Sequence, residues 1–293
     1  MRRDWPPVER FGMDTISLAG TLEVKLEAMA RAGFRQVMLS ARDVVGHPAG
    51  VSGAARAVAG SGLTVTGFQV LRDFEGLDDQ LHAYKLDIAK AMIEMAAAVG
   101  APLLLTCSSV SRHATGAHER LAEDLHKLAM LALPFGIRVA YEALSWGLHV
   151  SDYRDAWAIV RRVDCPTLTL ALDSFHMLAT ASPFEELSEI DPERISLVQL
   201  SDFMWQEVRT AEERLTTART FRVFPYEGVH SSQLLALIQA LEAMGYTGPY
   251  SFEVFNDDYT QLPPRVVAER ARTSARRLAE TVLAHREPPV ASA

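Results

Sequence analysis

The sequence predicts an α/β protein folded as a single-domain (β/α)8 TIM barrel. Three observations carry that prediction. Short apolar runs alternate with helical segments about eight times along the chain, and such alternation means parallel pairing of the strands. Four successive runs deliver an oxygen-bearing side chain at or near the same end: Arg138–Glu142, Leu168–Asp173, Ile195–Gln199 and Gly248–Glu253. The competing fold, an open doubly wound sheet, needs a glycine-rich phosphate loop after its first strand, and Ser17-Leu18-Ala19-Gly20-Thr21 is not one.

The elements read in order as follows. Phe11–Ser17 is a first strand, and the helix after it buries Leu22, Leu26, Met29 and Ala30 before stopping at Gly33. Phe34–Leu39 is a strand, Gly50–Ser61 an alanine-rich helix and Leu63–Val70 a strand rich in β-branched residues. The long helix Asp79–Val99 leads to strand Pro102–Cys107 and helix Ala117–Phe135, where Pro134 and Gly136 mark the end. Strand Arg138–Glu142 precedes a helix at Tyr153–Val163. Strand Leu168–Asp173 precedes at most a short helix at Phe184–Leu187. Strand Ile195–Gln199 opens the long polar segment Asp202–His230, which has no core pattern and reads as a functional loop. Helix Ser231–Met244, strand Gly248–Glu253 and helix Val266–Ala284 complete the barrel, and residues 286–293 read as a frayed tail.

Composition narrows the functional classes. A chain of 293 residues that is 48% hydrophobic can bury a large core. Its net charge of −8 argues against a nucleic-acid partner, whose affinity rests on Lys and Arg. No run is long and apolar enough to span a membrane; Met95–Thr106 is too short. The first residues carry Arg2 and Arg3 with no apolar stretch behind them, unlike a secretory signal. Cys107 and Cys165 make no disulfide framework and read as buried thiols. These features together predict a cytoplasmic protein with a small-molecule substrate.

In this fold chemistry sits at the C-terminal rim of the strands. Neighbouring strands lie about 4.8 Å apart, so Glu142, Asp173, Gln199 and Glu253 can converge on one point. Three carboxylates that close repel one another unless a cation neutralises them. The oxygen donors suit a hard divalent ion, Mg2+ or Mn2+, better than Zn2+ or Co2+. Taken singly, an acid ending a strand is as often a helix N-cap or a salt-bridge partner. Four on consecutive strands is a different matter. His176, one turn past Asp173, is either a general acid or base or a loop histidine bonded to backbone. Arg72 either grips a substrate carboxylate or pairs with Asp73 or Glu75. Arg219 and Arg222 reach the rim from the seventh loop. Trp146 and Phe175 wall a pocket or fill core. His113, His118 and His149 show no ligand spacing, and Glu227 is either a rim acid or part of a solvated turn.

These stretches also carry a resemblance. Leu71-Arg72-Asp73-Phe74-Glu75-Gly76, Tyr141-Glu142-Ala143-Leu144-Ser145-Trp146-Gly147, Leu172-Asp173-Ser174-Phe175-His176, Val198-Gln199-Leu200-Ser201-Asp202 and Glu253-Val254-Phe255-Asn256-Asp257 resemble the sugar-phosphate isomerase/epimerase superfamily of xylose-isomerase-like barrels. Within it the chain is most similar to bacterial 3-dehydroshikimate dehydratases, and glutamine at position 199, where related epimerases carry histidine, separates the two groups. The resemblance implies metal ligation by Glu142, Asp173, Gln199 and Glu253. It implies proton transfer by His176 and substrate contacts from Arg72 and Arg222; Trp146 and Asp202 are further candidate substrate contacts, and Glu142 and Glu253 further candidate proton-transfer groups. A homodimer fits the family. The chain departs from the dehydratase pattern at Leu39-Ser40-Ala41-Arg42-Asp43, at Ala218 and at Tyr226-Glu227-Gly228, which puts the substrate in question more than the chemistry. The expected reaction is metal-dependent dehydration of a cyclic polyhydroxy keto acid. The alternatives are epimerisation of a keto-sugar or inosose, a DNA-repair endonuclease disfavoured by charge, and a barrel that binds a small molecule without turnover.

Overall fold

The computed structural model describes residues 8–284. Eight strands close into a barrel in sequence order, every neighbouring pair parallel. They are β1 Phe11–Asp14, β2 Gln36–Ser40, β3 Thr64–Leu71, β4 Leu103–Cys107, β5 Arg138–Glu142, β6 Leu168–Asp173, β7 Ile195–Leu200 and β8 Tyr250–Phe252. Eleven α-helices are found among the described residues: α1 Leu22–Ala32, α2 Ala41–Val45, α3 Gly50–Gly60, α4 Asp79–Ala98, α5 His118–Ala132, α6 Tyr153–Val163, α7 Ser174–Ala179, α8 Ala211–Thr220, α9 Ser231–Met244, α10 Asp257–Thr260 and α11 Pro264–Ala284. None of them is long and apolar enough to cross a membrane.

Two of the three apolar clusters among the described residues hold the barrel. The larger lies between strands and helices, where the longer outer helices bury one stripe, such as Leu22, Leu26 and Met29 on α1, and Leu121, Leu125, Leu128 and Ala132 on α5. The smaller fills the barrel itself with Met38, Leu103, Leu105, Ala140, Ala171 and Leu197. Side chains alternate along a strand. Two residues beyond this apolar plug, on the same inward face, come Cys107, Glu142, Asp173 and Gln199. The polar layer is thus the next storey of the barrel, resting on a dry floor. Gly67 is required in that floor, because a Cβ there would stand 2.8 Å from the Met38 sulfur.

The structure corrects several expected boundaries. β1 ends at Asp14 and a 3-10 turn takes Thr15–Ser17, so the first strand does not reach Ser17. β8 is three residues, and Glu253 lies just past its end. Phe184–Leu187 is replaced by a 3-10 turn at Glu185–Glu189. The helices α2 and α7 follow β2 and β6 directly and were not anticipated; both are too short to show a stripe. The largest correction concerns 202–230, which is not all loop. It contains α8, closed at its start by a capping box between Thr210 and Glu213. Only Thr217 and Ala218 of that helix are buried, so it carries no apolar periodicity to read. The expected tail at 286–293 and the N-terminal Arg2–Arg3 lie outside the described residues.

Candidate metal centre

Glu142, Asp173 and Gln199 project from the ends of β5, β6 and β7 into the space above the plug, and Glu253 follows β8. All four are buried. Asp173 is paired in register with Gln199, and Gln199 with Ser251, two residues before Glu253. Asp173 does two jobs. Its Oδ1 accepts the Phe175 N–H at 2.7 Å and caps α7, while Oδ2 turns inward. The cap starts a helix that carries His176 back over the same space. The imidazole Nε2 lies 3.6 Å from Asp173 Oδ2 and 4.0 Å from Glu142 Oε1.

Arg222, on the strand-like segment after α8, reaches in from the seventh connection and is itself buried. Its Nη1 donates to Asp173 Oδ2 at 2.6 Å and to Glu253 Oε2 at 3.1 Å. Its Nε donates to the Ala218 carbonyl, and the Phe175 ring lies 4.6 Å from the guanidinium carbon. One guanidinium thus faces three carboxylates. Burial pushes the Glu142 carboxyl well above its usual range, and the charges of Asp173 and Glu253 push it further. Burial lifts Glu253 to about 7 against the opposing pull of Arg222. Burial lowers His176 to about 3, so the ring is neutral at neutral pH.

Two buried oxygens of this cluster, Glu142 Oε1 and Gln199 Oε1, have no hydrogen-bond partner. A buried polar oxygen without a partner costs on the order of 1–3 kcal/mol. Excess negative charge and unsatisfied oxygens at one point are what a cation relieves. Ligand atoms of Glu142, Asp173 and His176 all lie within 4.8 Å of one another. The buried triad is consistent with a divalent metal site, and the residues fit such an ion.

Sequence reasoning did not find the groups that hold this layer. Asp14, at the end of β1, is fully buried, and its Oδ2 accepts from the side-chain amides of Gln69 at 2.9 Å and Gln199 at 2.8 Å. Ser251 donates to the other oxygen. Gln199 also points its amide nitrogen at Gln69 Oε1, 3.3 Å away. With its N–H groups fixed, Gln199 presents its carbonyl oxygen. Cys107 donates its thiol to Glu142 Oε2 at 2.9 Å, and burial, then Glu142, pushes the thiol pKa up. The signal available for Cys107 was its place at the end of β4, opposite Glu142. Ser145 lies against His176: its backbone N–H donates to Nδ1 at 3.1 Å, and its Oγ is 3.0 Å from the same nitrogen.

Over these groups lies a cavity of about 230 Å3. Its wall includes Arg72, Arg219, Arg222, Trp146, His176 and Glu253. Trp146 meets the His176 ring edge-on at 4.9 Å. Of the alternatives left open for Arg72, pairing with Asp73 or Glu75 does not occur. Asp73 accepts from the Val110 N–H at 2.9 Å, and Glu75 accepts from Ser109 N–H and the Tyr141 hydroxyl. Asp202 is not brought to the cavity. It is buried beside His230, accepts from the backbone N–H groups of Phe203 and His230, and bonds the His230 ring at 3.0 Å. Gly228 follows from this, since a Cβ there would lie 2.4 Å from the Asp202 carboxylate. Glu227 is tied to Arg270 and Tyr259, and His149 to the Ala114 carbonyl, so neither reaches the site. Cys107 and Cys165 are free and buried.

Known proteins agree with this architecture. The chain is 37% identical over 87% of its length to a 3-dehydroshikimate dehydratase of Pseudomonas aeruginosa, and 36% identical over 86% to one of Pseudomonas putida. It spans 39% of each of those longer proteins. An inosose isomerase of Bacillus subtilis is 25% identical over 68% of this chain and 70% of its own. Among solved structures, a xylose isomerase-like TIM barrel/4-hydroxyphenylpyruvate dioxygenase fusion protein superposes with a TM-score of 0.88 at 34% identity. The match covers 94% of this chain and 44% of that one. The IOLI protein, solved with a zinc atom, shares the fold with a TM-score of 0.80 at 20% identity, covering 93% and 98% of the two chains. Residues 26–280 match the xylose isomerase-like TIM barrel family, and the chain belongs to it.

Proposed function

We propose that the protein is a divalent-metal-dependent dehydratase of a cyclic polyhydroxy keto acid, with 3-dehydroshikimate, converted to protocatechuate, as its specific substrate. The observation that carries this reading is the convergence of three buried carboxylates, Glu142, Asp173 and Glu253, on one guanidinium, with unpartnered oxygens on Glu142 and Gln199, beside a neutral imidazole and beneath arginine side chains. The likeness to dehydratases at 36–37% identity supports the reaction class. Glu142, Asp173, Gln199 and Glu253 would hold the ion. Their oxygens favour Mg2+ or Mn2+, and the nearby imidazole keeps Co2+ and Zn2+ within range. When bound, the ion supplies polarisation of a ring carbonyl or enolate oxygen.

The chain's own groups supply the rest. Arg72, with Arg222, orients the substrate carboxylate by charge-assisted hydrogen bonds. His176 takes the proton on the carbon α to the carbonyl. The electron pair of that C–H bond becomes the new ring double bond as the bond to the β-hydroxyl breaks; the hydroxyl leaves as water with the proton that His176 took, and the resulting dienone enolises to the catechol ring. For Nε2 to act as the base, the ring proton must sit on Nδ1, where Ser145 Oγ can accept it; the Ser145 N–H at the same nitrogen favours the opposite tautomer. Trp146 packs against the ring and limits its orientation.

The test is an ultraviolet assay of purified protein with 3-dehydroshikimate, with Mg2+ or Mn2+ and with chelator. Metal-dependent growth of protocatechuate absorbance, lost in Glu253→Ala, is the expected result. Absence of product from metal-loaded protein would overturn the substrate assignment and direct the same assay to inososes and keto-sugars.

A further inference from the structure

The cavity above the carboxylates does not end at Arg72. Gln69, Val70, Arg72, Glu253 and Phe255 also wall a second space of about 240 Å3, so the two are lobes of one cavity. The second lobe is completed by Ile16, Ser40, Ala41 and Arg42, from the turn after β1 and the junction of β2 with α2.

Arg42 and Arg72 are each followed in sequence by an aspartate, and each aspartate is turned to another partner. Asp43 bonds the Lys25 ammonium at 2.7 Å. Asp73 accepts from Val110 and Ser109, and Glu75, the next acid along, is held by Ser109 and Tyr141. Among the described residues no carboxylate or carbonyl takes either guanidinium. The acid in the wall of this lobe, Glu253, is already bridged to Arg222. Two exposed arginines therefore line one space; Arg72 lies within the field of Glu253, and Arg42 makes no ion pair among the described residues. A guanidinium in that position can receive a planar or tetrahedral oxyanion. The first lobe has its own cations, Arg72, Arg219 and Arg222, beside the carboxylate cluster. A single-carboxylate substrate seated there leaves Arg42 without a role.

We propose that the second lobe is an anion subsite, in which Arg42 binds a carboxylate or phosphate group of the substrate set apart from the reacting carbons, while Arg72, between the lobes, keeps the ring carboxylate. The preferred substrate is then a cyclic polyhydroxy acid bearing a second anionic group. This rests on the reading of the carboxylate cluster as the reaction centre.

The experiment measures calorimetric affinities of the Mn2+-loaded protein for two matched pairs of probes. Shikimate against shikimate 3-phosphate adds a phosphate; protocatechuate against 4,5-dihydroxyisophthalate adds a carboxylate. A charge-assisted contact predicts that the second anion tightens binding by about tenfold or more in at least one pair, and the responding pair names the group. Arg42→Ala should abolish that gain and Arg42→Lys should restore part of it. No gain in either pair, or a gain that survives Arg42→Ala, overturns the subsite. Turnover of 3-dehydroshikimate with no gain removes the subsite and keeps the dehydratase reading. An Arg42-dependent gain without turnover does the reverse.

Discussion

Two buried acids stand at the same rim of this barrel and have opposite surroundings. Asp202 follows β7, and every contact it makes is a donor: two backbone N–H groups and the His230 ring. Glu142, at the end of β5, receives one thiol and shares its space with Asp173 and Glu253, leaving an oxygen with no partner. Burial alone does not separate them, since both are sealed from solvent. Satisfaction does. A carboxylate whose lone pairs are all met is holding the fold together. A group of carboxylates left short of donors is waiting for something the chain does not contain.

That contrast predicts where substitutions act. The largest effect falls on His176→Ala, which should lower kcat for dehydration by about 10²–10⁴-fold while the thermal unfolding transition stays cooperative. Wild-type turnover in that variant would remove His176 from the chemistry. On the satisfied side, His230→Ala strands the Asp202 carboxylate and should cost about 1–3 kcal/mol of unfolding free energy by denaturant titration. The deficit should depend on pH. Burial is the largest single influence and works against a charged His230, but the hydrogen bonds to Asp202 and to the Gln206 carbonyl, with the charge of Asp202, together outweigh it and raise the imidazole pKa above its ordinary value. A raised folded-state pKa gives stability that is fully present below the unfolded value of about 6.5 and is lost as pH rises through the folded value. The gap between wild type and His230→Ala should therefore narrow from pH 5.5 to pH 9, and a constant gap would show that the pair is uncharged.

Smaller effects sharpen the comparison. Asp14→Asn puts a donor where Gln69 and Gln199 need an acceptor, which frees the Gln199 amide to turn its nitrogen inward. Mn2+ affinity should fall about 10–100-fold, as for other groups that orient metal ligands. An unchanged affinity would mean that Gln199 holds its orientation without Asp14. Ser145→Ala removes the hydroxyl 3.0 Å from His176 Nδ1, the acceptor that the tautomer with a basic Nε2 requires, and should reduce kcat by about tenfold with little change in KM.

The strand ends were legible because a buried strand has no packing reason to finish on an acid, and the barrel's alternation carries Ala140, Ala171 and Leu197 into Glu142, Asp173 and Gln199. Asp14 was hidden because Phe11–Ser17 reads as one strand and places it mid-run, while the chain in fact turns just after it. Gln69 was hidden inside a strand whose outward and inward faces look alike. Asp202 was expected at the substrate because its partner His230 is 28 residues away, beyond any local pattern. The helix α8 was lost for a different reason: it sits on the rim with a mostly polar surface, so the periodicity that reveals the other helices is absent. Local pattern locates the acids, and only tertiary partners tell which of them are satisfied.

The most direct measurement is Mn2+ binding followed by electron paramagnetic resonance in the wild-type protein, Glu142→Ala, Asp173→Ala and Asp202→Asn. A tightly held ion in wild type and Asp202→Asn, lost in Glu142→Ala and Asp173→Ala, is the predicted result. Absence of binding in the wild type, or binding that survives both alanine variants, would contradict the reading of the under-satisfied acids as a metal centre.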